Sequence, residues 1–245
     1  MQGQVHIVVG GTGGIGSAVA RHLAGAGASI MLASRNEDAL RDLAEETSAE
    51  WRVCDARHFD QVKALVDATV EAFGRVDGIV NCAGSLLLKP AHLTSEDEFR
   101  QVIDTNLTTA FCVVKAAARA MMKDGGSIVL VSSAVARTGL ANHEAIAAAK
   151  AGVAGLVRSA AATYGGRKVR VNCVAPGLVE TPMTARITAN ESARSQSAAM
   201  HALGSIGTPS DLAEPIVWLL DGERSGWVTG QEIGVDGGLG TVRPR

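Results

Sequence analysis

The stretch Val5-His6-Ile7-Val8-Val9-Gly10-Gly11-Thr12-Gly13-Gly14-Ile15-Gly16 changes character at its midpoint. Val5 to Val9, four of five residues β-branched, reads as a buried strand. The glycines then allow a tight turn, and the Ala-rich sequence running to about Gly25 reads as a helix. Glycines let a backbone approach a pyrophosphate closely, and the helix behind them aims free amides and a positive dipole end at it. Gly10, Thr12, Gly14, Ile15 and Gly16 are therefore expected to hold nucleotide phosphates, the alternative being a tight structural turn.

Outward from this unit the same alternation repeats. Strands are predicted at Val5–Val9, Ser29–Ala33, Trp51–Cys54, Gly78–Asn81, Ser127–Ser132, Val169–Val174 and Glu232–Val235. Between them lie amphipathic helices at Glu37–Thr47, Phe59–Phe73, within Ser95–Lys123, and at Asn142–Tyr164. Continuous apolar runs joined by helical crossovers imply a parallel sheet covered on both faces. The expected fold is α/β: a doubly wound, seven-stranded Rossmann sheet forming one domain over residues 1–245. The long interruption at 181–220 is helical in composition and reads either as a substrate lid or as a packing helix pair.

Bulk properties narrow the function. Twenty-three basic and 25 acidic residues give a formal charge of −2, without a basic run, which argues against a nucleic-acid surface. No apolar stretch reads as a membrane span, and the first strand begins almost at Met1, so a cytoplasmic protein is expected. Cys54, Cys82, Cys112 and Cys173 are scattered singly and read as small buried hydrophobes. The six histidines show no helical pairing that would ligate a metal, so no metal site is expected.

Several motifs together resemble the short-chain dehydrogenase/reductase family along almost the whole chain. The spacing of Gly10, Gly14 and Gly16 is similar to its cofactor turn. Asn81-Cys82-Ala83-Gly84 resembles its Asn-Asn-Ala-Gly, and Asn106 falls at its helix-four asparagine. Ser133 ends a strand as its catalytic serine does, and Pro176, Gly177, Val179 and Thr181 resemble its nicotinamide-side loop. Val235-Asp236-Gly237-Gly238 resembles the end of its 3-oxoacyl-carrier-protein reductase branch. The resemblance implies a homotetramer built on the long helices four and five and on this tail.

In that family a tyrosine passes the proton, a serine orients the substrate oxygen, and a lysine binds the nicotinamide ribose. Ser133, Asn106 and Lys150 match three of the four parts, but Ile146 stands at the tyrosine spacing, thirteen residues after Ser133 and four before Lys150. At about 100° per residue, His143, Ile146 and Lys150 share one helical stripe, making His143 a candidate proton donor. Its alternative is a locally bonded or solvated histidine behind an Asn142 cap. Ala33-Ser34-Arg35 offers no carboxylate to a ribose 2′-phosphate, and Arg35 can bind one, so NADP(H) is favoured over NAD(H). Arg35 also reads as a solvated or adenine-stacked charge. Asp55 resembles the adenine-contacting aspartate, or caps the next helix.

The expected activity is an NADP(H)-dependent oxidoreductase acting on a small or medium carbonyl or alcohol, its proton coming from His143 or ordered water. The alternative is a catalytically silent NADP(H)-binding sensor or structural protein. Leu86 to Leu88, Ala134 to Leu140 and the lid would line the substrate pocket. Arg186, Arg194 and His201 read as solvated charges or as anion contacts.

Overall fold

In the computed structural model, which describes residues 1–242, the first strand sits in the middle of the sheet and is buried throughout. Strands β1 (Val5–Val9), β2 (Ser29–Ser34), β3 (Glu50–Val53), β4 (Gly78–Asn81), β5 (Gly126–Val131), β6 (Val169–Pro176) and β7 (Glu232–Val235) are ordered 3-2-1-4-5-6-7. Every pairing is parallel. The reversal of strand order beside β1 opens a crevice at the carboxyl ends of β1 and β4, where an open α/β sheet places its ligand.

Strand alternation divides the core into two layers. Ile7 and Val9 face one layer, with Ile79, Ile128 and Leu130, under helices α3 (Phe59–Phe73), α5 (Thr109–Met121) and α6 (Glu144–Tyr164). Val8 faces the other, with Leu32, Val80 and Val129, under α1 (Gly14–Gly25), α2 (Glu37–Thr47) and α9 (Pro209–Leu220). Cys54, Cys112 and Cys173 are buried in the first layer, where burial pushes the Cys54 thiol up to about 11 and Cys173 up to about 12.

Four expectations change. The predicted 181–220 segment divides: a short turn at Pro182–Thr184, α7 (Ala185–Thr188) and α8 (Glu191–Met200) lie outside the core, whereas α9 buries Leu212, Ile216 and Leu219 beside α1. Its alanine-rich composition did not separate a covering helix from a packing one. The Ser95–Lys123 region breaks into α4 (Glu96–Ile103), a π turn at Asp104–Thr108, and α5. Helix α6 starts at Glu144 with His143 as its N-cap, so Asn142, at φ 64°, lies one residue outside the cap position and is not its cap. Finally, Glu144–Arg167 does have the length and apolarity of a membrane span, yet half of that window is buried within the protein.

Candidate cofactor and active site

The glycine turn is a cradle with no room for side chains. Gly10 has φ +73°, and a Cβ there would lie 2.6 Å from the Ala83 nitrogen. A Cβ on Gly16 would sit 2.2 Å from the Gly10 carbonyl oxygen, and one on Gly14 2.7 Å from Thr181 Cγ2. Three separate predicted motifs therefore converge on this turn. Helix α1 begins at Gly14 with no side-chain cap on its first amides, which leaves them available to an anion. These residues fit a dinucleotide's pyrophosphate.

From the turn a crevice of about 240 Å³ runs past Ser34, Arg35, Asp55, Ala83 and Gly84. Arg35 is exposed at the tip of β2, and no hydrogen bond or ion pair holds its side chain among the described residues. Buried Ser34 accepts the Asn36 amide, shaping the tip. Asp55 does not cap α3, whose N-cap is His58. Its carboxylate is forked by Arg57, with Nε at 2.9 Å and 3.1 Å from the two oxygens, and this guanidinium holds the carboxyl down at about 2. The role of Arg57 in the crevice was missed in the sequence; the Asp-x-Arg spacing just past a strand was its only signal.

At the head of the crevice, Asn81 Oδ1 accepts the Ala83 amide while its Nδ2 donates to Thr109 Oγ1. Asn106, buried on the π turn, donates to the Val102 carbonyl and to Ser85 Oγ, and accepts the Ser85 amide. A Cβ on Gly84 would lie 3.0 Å from Asn106 Oδ1 and 3.7 Å from Lys150 Nζ, so both groups converge there. Lys150 is 7% exposed and donates to the Val131 carbonyl at 2.8 Å. Burial pulls its pKa down to about 8. Ser133 follows β5 and accepts the Val135 amide at 3.3 Å.

Ile146, 3% exposed, packs in an apolar cluster with Val102 and Ala149, against Leu87, Leu107 and Val135. Sequence spacing extends its stripe back to His143, but the stripe stops short. His143 is the N-cap, with φ −114° and ψ 13°, and its Nδ1 turns back to the Ala141 carbonyl at 2.7 Å. It is half-buried.

Pro176 ends β6, and the loop beyond it leads into the Pro182–Thr184 turn and α7. Val179 is buried and bridges to Gly207, and Thr181 reaches Gly14. Arg194 pairs with Glu180, and Arg186 is exposed. His201 is neither a solvated charge nor an anion contact: it is buried and bonded at both ring nitrogens to backbone. Among the described residues no three His, Cys, Asp or Glu side chains group as a metal site.

The family model described as enoyl-(acyl carrier protein) reductase matches residues 10–240. The 3-oxoacyl-[acyl-carrier-protein] reductase of Thermotoga maritima is 36% identical over 98% of both chains. A short-chain type dehydrogenase/reductase from Mycobacterium ulcerans superposes with a TM-score of 0.95 at 34% identity, covering 100% of this chain and 92% of that one. The actinorhodin polyketide ketoreductase, solved with NADPH, gives 0.92 at 32% identity over 98% of each. Sequence and fold agree along the whole length, and the chain belongs to the short-chain dehydrogenase/reductase family.

Proposed function

We propose that the protein is an NADP(H)-dependent oxidoreductase that interconverts a small or medium carbonyl compound and its alcohol, using a proton donor other than tyrosine. The observation that carries this reading is the convergence of Asn106 Oδ1 and Lys150 Nζ on Gly84, at the head of the glycine-lined crevice. Bound NADPH supplies the hydride. Lys150 binds its ribose hydroxyls, and Ser133 orients the substrate oxygen. Arg35 takes the 2′-phosphate, an assignment supported by its exposure and by Arg57, which offsets the one carboxylate in that part of the crevice.

Ile146 stands where the family keeps its tyrosine, and its aliphatic side chain cannot transfer a proton. The donor is His143 or a water held between Ser133 and Asn106. For His143, the bond from Nδ1 to Ala141 leaves Nε2 as the nitrogen able to face substrate. Leu86 and Leu88, both exposed after β4, support an aliphatic substrate surface. Assembly as a homotetramer is supported by Phe99 on α4 and Phe111 on α5, both exposed. Four free cysteines support a cytoplasmic setting.

The test is a fluorescence titration with NADPH and NADH, followed by ketones, aldehydes and 3-oxoacyl thioesters while reduced-nicotinamide absorbance is monitored. Tighter binding of NADPH with turnover is expected. Tight binding without turnover on any substrate would leave a silent binding protein, and absence of binding would sink the reading.

A further inference from the structure

We propose that His201 is a positioning residue, a neutral imidazole clasp that makes the lid and the nicotinamide-side loop move as one body. The proposal rests on the reading above for what the lid and loop do. His201 follows α8 directly and is 2% exposed. Its Nδ1 lies 2.7 Å from the Ser197 carbonyl, which only accepts, so Nδ1 carries the proton. Its Nε2 then has a lone pair free, and accepts the Leu178 amide at 3.1 Å. One tautomer satisfies both bonds, and no other state does.

The slot for the ring is made by two glycines. A Cβ on Gly177 would lie 2.5 Å from Nε2, and one on Gly237, at φ +56°, 3.4 Å from the ring. The loop beyond Leu178 is fixed in turn. Gly207 donates to the Leu178 carbonyl, Glu180 donates to the Gly207 carbonyl, and Thr184 Oγ1 donates to the Val179 carbonyl. Thr181 then rests on Gly14 at the phosphate turn. Through this chain of contacts, a displacement of α8 reaches the cofactor crevice by way of His201 and Leu178.

Only the neutral ring closes the clasp. A second ring proton would set an Nε2–H donor against the Leu178 amide, replacing a hydrogen bond with two opposed donors. The charged groups nearby do not compensate for the added charge. Asp236 accepts the Gly238 and Gly240 amides, Asp211 caps α9 through Thr208, and Arg194 on α8 is paired with Glu180. None of them forms an ion pair with His201.

The experiment combines NMR of the imidazole nitrogens with amide hydrogen exchange on the apo protein, comparing wild type with His201→Ala and His201→Gln. In wild type His201 is expected as the Nδ1–H tautomer. Replacing His201 by alanine, which removes the Nε2 acceptor, should cut protection of the 177–184 and 185–200 amides together, by about tenfold, the value of one hydrogen bond. His201→Gln keeps an acceptor for Leu178, so its lid and loop should stay protected together as in wild type, and its NADPH affinity should be retained where that of His201→Ala falls. The Nε2–H tautomer in wild type, or a lid and loop that open independently, overturns the clasp. If a variant fails to fold, the wild-type tautomer and the joint exchange decide alone. A clasp found in a protein that does not bind NADPH would sink the functional reading and leave the clasp standing.

Discussion

Lys150 holds a charge where the fold disfavours one. Its pKa is pulled from 10.5 to about 8 by burial, so the folded protein sheds this proton before the unfolded chain does. The penalty is full below about 8, shrinks as pH rises toward 10.5, and is gone above it. Lys150→Met should therefore raise stability at about pH 7 by about 1–3 kcal/mol while weakening NADPH binding. Urea unfolding should show the gap between variant and wild type closing at about pH 10. His143→Ala separates the two proton routes: if the imidazole is the acid, kcat falls by about 10²- to 10⁴-fold with NADPH affinity unchanged, whereas unchanged kcat assigns the proton to water. At this scale Gly10 and Gly16 could be read from their place between a strand and a helix, and Asn106 and Lys150 only through the family resemblance; the structure brings the latter two together beside Gly84. The sequence was least legible where a residue's role is set by a backbone group brought in from elsewhere. Nothing around His201 in the chain announces that Leu178 will need its Nε2.

The elements differ in how openly the chain declares them. Buried strands are continuous apolar runs, and their observed bounds fall within two residues of the expected ones. Helix α4 is announced by Ser95 and Glu98, which form a reciprocal capping box. The π turn that delivers Asn106 has no composition of its own, because an extra residue in a helical turn leaves the apolar pattern nearly intact. Helix α9 was hidden by its company, sharing an Ala- and Ser-rich segment with the lid. Ile216, fully buried against the α1 side of the sheet, tests its structural role. Ile216→Ala should cost about 2–5 kcal/mol in chemical denaturation, and a mobile lid helix at that position would show almost no loss.

Across the whole molecule, the sheet buries its two faces under different sets of helices, and two exposed phenylalanines, Phe99 and Phe111, lie on α4 and α5. Phe111 is more than half exposed, on a helix whose opposite side is in the core. If the protein assembles as the proposed homotetramer, Phe111→Glu should give smaller species than wild type in analytical ultracentrifugation without altering the far-ultraviolet spectrum; an unchanged sedimentation coefficient would overturn an assembly surface at Phe111. The contact between Gly14 and Thr181 carries a further consequence, for synthesis. In a growing chain β1 must wait for β4 to pair with it, and Gly14 must wait for Thr181. A nascent chain that ends before Thr181 has only one side of the crevice, so cofactor capture must follow synthesis of the loop beyond β6.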